Sequence, residues 1–120
     1  MRDLSPQRPA AAELLRVRPD RAAALYWYKR AYRRGDASAA NNIGTIWRVE
    51  GKPKRALYWF KRAIDLGDDD ANLAIAKIYL RDEEDRRKAI PYLRRVCKSQ
   101  MVTESNKEEA ERLLKKLCAK

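Results

Sequence analysis

The chain has 120 residues, of which 45% are hydrophobic and 38% are charged, and its formal net charge is +11. This length supports one domain with a modest core, and the longest apolar run, residues 22–28, is far shorter than the about 18 residues that span a membrane. The chain has no histidine, which excludes Ser-His and Cys-His nucleophiles and most zinc sites. It also has no glycine-rich phosphate loop. We therefore expect a non-enzymatic protein without a cofactor or a metal. We expect it in the cytoplasm, because the N-terminus shows no secretory pattern.

Glycines, prolines and aspartates divide the chain into a series of predicted helices. Residues 1–9, with two prolines and alternating charges, are predicted to be a flexible lead. Apolar residues at helical spacing then predict helices over residues 10–17, 21–34, 37–49, 53–66, 68–80, 86–98 and 103–118. The last of these has a capping-box spacing at Ser105 and Glu108.

Three further features of the sequence bear on the predicted helices. Gly44, in mid-helix, costs about 1 kcal/mol relative to alanine, which indicates that a neighbouring ring packs directly on the backbone there. Asp68, Asp69 and Asp70 open a helix, where carboxylates favour the positive end of the helix dipole without any metal. Pro91 predicts a kink or a late helix start.

One stretch of the chain occurs twice. Residues 24–36 read ALYWYKRAYRRGD and residues 56–68 read ALYWFKRAIDLGD, and a weaker third copy begins at residue 89. A period of this size predicts stacked helical pairs, because one pair cannot bury its apolar face alone. By the same periodicity Trp27, Tyr28, Trp59 and Phe60 are predicted to be core. The only cysteines, Cys97 and Cys118, lie on apolar helical faces and are predicted to be reduced, buried thiols.

The repeat resembles two related families. Its order of small residues and rings is similar to the tetratricopeptide signature, through Ala40, Ile43, Gly44, Trp47, Ala56, Phe60 and Ala63. It is even more similar to the Sel-one-like repeat, through Lys54, Arg55, Ala56, Trp59, Phe60, Ala63, Gly67 and Ala71. The resemblance implies an all-α, right-handed α–α solenoid of stacked antiparallel helix pairs, with six or seven helices. On this basis residues 10–120 form one domain, with repeat copies near 20–35, 36–67 and 68–98 and a capping helix over 103–118.

The resemblance also implies a protein–protein interaction module. Such solenoids hold a peptide or a partner domain against the concave groove that the first helix of each pair lines. The groove positions in this chain would be Asn41, Asn42, Thr45, Arg48, Lys77 and Arg81, together with Val49 and Leu73. The three cations among them favour an acidic partner segment.

Two alternatives stay open at this point. One is a neutralising partner of a toxin, since the alanine- and arginine-rich composition suits a small bacterial array. The other is a basic nucleic-acid-binding protein, because basic residues follow aromatic ones at residues 28–30 and 60–62. If the rings belong to the core, only the charges remain, so we expect any such binding to be weak and non-specific. The sequence leaves the oligomeric state open.

Overall fold

The described part of the protein is built from helices that follow one another closely along the chain. The structure is a computed structural model that describes residues 19–119, with side chains from residue 21 onward. Its helices are α1 (Pro19–Arg33), α2 (Ala37–Val49), α3 (Pro53–Asp65), α4 (Ala71–Leu80), α5 (Ala89–Lys98) and α6 (Glu104–Cys118). A 3-10 segment, Glu83–Lys88, joins α4 to α5. The predicted lead over residues 1–9 and the predicted helix over 10–17 lie outside the described residues.

Each helix packs mainly against the next one in the chain. The order is α1 on α2, α2 on α3, α3 on α4, α4 on α5 and α5 on α6. This is an α–α solenoid, so the predicted fold class is confirmed. We call α2, α4 and α6 the inner helices and α1, α3 and α5 the outer helices.

The predicted turn chemistry fixes where α1, α2 and α3 end. A left-handed glycine follows α1 and α3, with φ of +92° at Gly35 and +105° at Gly67, a conformation that side chains disfavour. Asp36 then caps α2, because its Oδ1 accepts hydrogen bonds from the backbone N–H groups of Ser38 (2.9 Å) and Ala39 (3.3 Å).

Later boundaries differ in detail from the prediction. Residues 68–70 form a turn and α4 begins only at Ala71, since Asp68 Oδ1 accepts from the backbone N–H of Asp70 at 3.1 Å. The helix that contains Pro91 starts late, as expected, at residue 89. Thr103 caps α6 in place of Ser105, because Thr103 Oγ1 accepts from the backbone N–H of Asn106 at 3.2 Å.

The core consists of two clusters that share one helix. The first cluster joins α2, α3 and α4 through Ala40, Ala56, Phe60, Ala63, Ala71, Ile75 and Ile78. The second joins α4, α5 and α6 through Leu73, Ala76, Ala89, Leu93, Val96, Val102 and Ala110. The inner helix α4 therefore supplies side chains to both clusters from opposite sides.

A neighbouring ring packs directly on the helix backbone at Gly44, as predicted. A Cβ atom on this glycine would lie 2.7 Å from Cδ1 and Cε1 of Phe60, a distance that real Cβ atoms do not show. The ring of Phe60 is fully buried and occupies the space that any side chain at position 44 would need.

The prediction that Trp27 lies in the core is wrong. Its side chain is 62% exposed, whereas Phe60 is buried and Trp59 and Tyr28 are half-buried. Trp59 packs edge-on against Tyr32 of the preceding unit, with ring centroids 5.0 Å apart. Trp27 holds the equivalent position one repeat earlier, and within the described residues its ring partner is its chain neighbour Tyr26.

The two cysteine thiols also differ from each other. Both are free, and Cys97 is half-buried while Cys118 is exposed, so the prediction of two buried thiols is wrong for Cys118. Burial raises the pKa of the Cys97 thiol, and the nearby Glu111 carboxylate adds to the effect. Cys97 is therefore kept in its less reactive, protonated form.

Candidate partner-binding groove

A cleft of about 250 Å³ runs between the inner helices α2 and α4. Its lining residues are Asn41, Arg48, Asp70, Leu73, Ala74 and Lys77. Three of the six predicted site residues, Asn41, Arg48 and Lys77, thus lie around one cleft, although they come from helices more than 20 positions apart in the chain.

The acidic turn at residues 68–70 holds this region together. Each of its three carboxylates accepts a hydrogen bond from a side chain of another unit or turn. The bonds are Asn41 Nδ2 to Asp68 Oδ2 (2.9 Å), Ser99 Oγ to Asp69 Oδ2 (2.6 Å) and Asn106 Nδ2 to Asp70 Oδ1 (3.0 Å). Besides their place at a helix start, the carboxylates therefore link α2, α4 and α6 across the array.

Three of the predicted site residues already have partners within the protein. Asn41 donates to Asp68, and the hydroxyl of Thr45 donates to the backbone carbonyl of Asn41 at 3.1 Å. Lys77 Nζ forms an ion pair with Glu109 Oε2 at 2.9 Å. The sequence reasoning treated α6 only as a cap and missed Glu109, which reaches across to the neighbouring inner helix.

Arg48 connects the first cleft to a larger one of about 780 Å³ at the loop end of the helices. The second cleft is lined by Arg48 and Arg81, by the apolar side chains of Leu57 and Ile78, and by the ring of Tyr79, among others. The Nε atom of Arg48 is buried and has no hydrogen-bond partner within residues 19–119. A buried donor without an acceptor costs about 1–3 kcal/mol, which makes this atom unusual.

The remaining predicted residues occupy separate positions. Arg81 is exposed and lines only the larger cleft. Asn42 is exposed and Thr45 is half-buried, and neither lines one of the two clefts. The six residues therefore do not all line the same cleft; Arg48 is the residue that both clefts share.

Family comparison adds an independent observation to this geometry. The model of the Sel1 repeat matches residues 12–36, 37–68 and 97–120. The chain belongs to the Sel1 repeat family. The first two matched segments end at Asp36 and Asp68, where the two copies of the duplicated stretch also end. Searches of curated proteins and of solved structures found no match.

Membership of the Sel1 repeat family bears on the general function of the chain. Sel1 repeats are generally protein–protein interaction modules and typically non-enzymatic scaffolds. Among the described residues, no group of three or more His, Cys, Asp or Glu side chains is placed to hold a metal ion. No helix in that part of the chain is long and apolar enough to cross a membrane.

The outer helices of this Sel1 protein carry a feature that sequence reasoning missed. Tyr26, Trp27 and Tyr58 are more than half exposed, and arginine side chains lie over their rings. Helical periodicity assigns a ring to a face, but it does not say whether a neighbouring helix covers that face. The duplicated spacing of Tyr26 and Arg30, four residues apart, with Tyr58 and Arg62 would have been the signal to look for.

Proposed function

We propose that this Sel1 repeat chain binds a protein or peptide partner in the groove along α2 and α4, defined by the two clefts that share Arg48. The observation that carries the proposal is the position of this arginine. It lines both clefts, and its buried Nε lacks an acceptor among the residues that the structure describes. An acceptor from a partner would supply the missing hydrogen bond after a small rearrangement of the side chain.

The chemistry of the groove favours an acidic partner segment. A guanidinium presents donors in a planar fork that fits a carboxylate in a bidentate manner. The larger cleft carries charges of both signs with a small positive excess: its cations are Arg48, Lys54, Arg81 and Lys88, and its carboxylates are Asp82, Glu83 and Asp85. Leu57 and Ile78 offer apolar contact beside these charges. A segment with a carboxylate next to an apolar side chain would match both features.

The other predicted site residues take different roles in this proposal. Asn41 and Thr45 use their side chains in internal hydrogen bonds, and of the two only Asn41 lines a cleft. Lys77 is held by Glu109, so a partner carboxylate would have to compete with this ion pair. Asn42 stands outside both clefts and would contact only a partner that extends beyond them.

Photo-crosslinking followed by affinity measurement tests the proposal. A photoreactive amino acid placed at Lys54, an exposed residue that lines the larger cleft, should capture a partner from the native cell, and mass spectrometry should identify it. The double variant Arg48→Ala, Arg81→Ala should then bind the purified partner at least about tenfold more weakly, or about 1.4 kcal/mol. The melting temperature should barely change, because neither residue belongs to the core clusters.

The control variant removes the same charge at a distance from the groove. Lys115→Ala, Lys116→Ala in the last turn of α6 takes away two exposed cations that line neither groove cleft. We expect this variant to bind the partner as tightly as the unmodified chain. Equal weakening of both variants would mean that net charge, not the groove, determines binding.

A further inference from the structure

The outer helices have a charge composition that sets them apart from the inner ones. Helices α1, α3 and α5 contain four, four and three basic residues against one, one and no acidic residue. The inner helices α2 and α4 contain one basic residue each and no acidic one. In α6 the four basic residues are balanced by four acidic ones. Most of the excess positive charge of the described helices therefore lies on one side of the array.

Within this basic side, each outer helix has an arginine at the same repeat position that lies over a ring of its own helix. Arg30, Arg62 and Arg95 hold equivalent repeat positions, 32 and 33 residues apart. Each lies over a ring of its own helix: Arg30 over Trp27 (5.5 Å) and Tyr26 (5.7 Å), Arg62 over Tyr58 (6.0 Å) and Arg95 over Tyr92 (5.0 Å). We call these seven residues the arginine–ring ladder.

Hydrogen bonds fix the ladder in place at two of its three steps. Arg30 Nη1 donates to the hydroxyl of Tyr26 at 3.2 Å, and Arg62 Nε donates to the hydroxyl of Tyr32 on the preceding outer helix at 2.9 Å. A guanidinium held in this way has already lost part of its conformational freedom, so less entropy is lost when it binds a ligand.

We propose that the arginine–ring ladder is a second docking surface, for a protein segment that carries carboxylates beside apolar side chains. Charge complementarity requires an anionic partner, because the outer helices carry eleven basic residues against two acidic ones. The exposed rings of Tyr26, Trp27 and Tyr58 add large apolar contact areas. Arginine, tyrosine and tryptophan are the residue types that dominate binding energy at protein interfaces.

The geometry favours a protein over a single-stranded nucleic acid. Base stacking needs a free ring face, and in the ladder an arginine of the same helix lies over one face of each exposed ring, so a base could stack only on the opposite face. A carboxylate can instead approach the guanidinium edge while the arginine stays over its ring. An acidic segment therefore fits without any rearrangement of the ladder.

Selection from random peptides displayed on phage, with the purified full chain at about 0.15 M ionic strength, tests the proposal. We expect enrichment of peptides that combine Asp or Glu with large apolar residues. Their affinities are then measured by fluorescence anisotropy, with the same peptides in synthetic, labelled form. The triple variant Arg30→Ala, Arg62→Ala, Arg95→Ala should bind them at least about tenfold more weakly.

Three comparison variants make the result specific. Arg112→Ala, Lys115→Ala, Lys116→Ala on α6 removes the same charge away from the ladder and should leave affinity unchanged. The selection is repeated with the Arg48→Ala, Arg81→Ala chain, and only peptides that both chains enrich are measured, which separates this surface from the groove. If the triple alanine variant fails to fold, replacement of the three ladder arginines by lysine keeps the charge and removes the planar fork. That variant should then show the loss of affinity.

Several results would contradict the proposed docking surface. The proposal is overturned if the selected peptides lack acidic residues, if no peptide is enriched, or if the α6 control weakens binding as much as the ladder variant. Peptides that depend on Arg48 and Arg81 alone would overturn it in favour of the groove. Labelled oligothymidylate, or vesicles that contain phosphatidylserine, would overturn it if either binds the ladder more tightly than the peptides do.

Discussion

At the scale of single residues, a glycine and a ring determine how closely α2 and α3 approach. Gly44 offers no side chain, and the Phe60 ring lies where a Cβ atom would be. The sequence already predicted this contact, because a mid-helix glycine has a cost that a close neighbour can offset. The exposure of Trp27 could not be predicted in the same way. The repeat position of Trp27 tells which face of α1 the ring lies on. Whether another helix packs on that face depends on the unit that precedes α1.

Replacement of Gly44 by alanine should destabilise the protein in spite of the higher helix propensity of alanine. We expect a loss of about 1–3 kcal/mol from overpacking against Phe60, set against a propensity gain of about 1 kcal/mol. Urea unfolding followed by circular dichroism measures the difference. Asn42→Ala, at an exposed position of the same helix, is the control and should change stability by less than about 0.5 kcal/mol. Adding Phe60→Leu to Gly44→Ala should recover part of the loss; equal stability of Gly44→Ala and the unmodified protein would contradict the tight contact.

At the scale of elements, the turn at residues 68–70 joins three inner helices through side chains. Helix positions were largely predictable, because glycine ends and apolar spacing are local signals. The partners of the carboxylates were not, since Asn41, Ser99 and Asn106 lie 27, 30 and 36 positions away. Asp36 and Asp68 illustrate the difficulty. They hold the same repeat position, yet in the described part of the chain only Asp68 also accepts a hydrogen bond from the preceding unit.

A double-mutant cycle on Asn41 and Asp68 should measure this link between units. Asn41→Ala and Asp68→Ala each leave a half-buried polar group without its partner, so the two changes should not be additive. We expect a coupling energy of about 0.5–1.5 kcal/mol from urea unfolding of the four proteins. The control cycle uses Asn42→Ala and Asp65→Ala, two exposed residues that do not bond to each other, and should give coupling below about 0.5 kcal/mol. Additive effects at Asn41 and Asp68 would mean that the hydrogen bond is absent in solution.

At the scale of the whole molecule, the two core clusters share α4 and are expected to unfold together. Ile75 belongs to the first cluster and Ala76, its neighbour, to the second. The repeat period predicted a stacked array of helices, and the structure contains such an array. Three of the predicted groove residues, Asn41, Arg48 and Lys77, line one cleft between α2 and α4, and its use as a binding groove stays a prediction. The number of free side chains in the groove was overestimated, because internal partners such as Glu109 come from distant parts of the chain.

Leu93→Ala tests whether the array unfolds as one unit. This buried residue of α5 lies in the second cluster, and its truncation should cost about 2–5 kcal/mol. All three tryptophans lie in the first half of the chain, so their fluorescence reports on that half. The fluorescence midpoint in urea should therefore shift by the same amount as the midpoint from circular dichroism. An unchanged fluorescence midpoint with a two-step dichroism curve would show that the halves unfold separately.

The hydrogen bond between Asn41 and Asp68 has a consequence for how such an array can grow. The segment from residue 36 to residue 67 carries its own capping aspartate at one junction and its own asparagine for the other, and it contains both members of the contact between Gly44 and Phe60. If a duplicate of this segment were inserted after residue 67, Asn41 would face a copy of Asp36. A copy of Asn41 would then face Asp68. Both junctions would then use chemistry that the protein already has. Length can therefore change by whole modules, each adding one inner helix to the groove and one outer helix to the basic side, whereas an insertion of one or two residues would break the alignment of donor and acceptor.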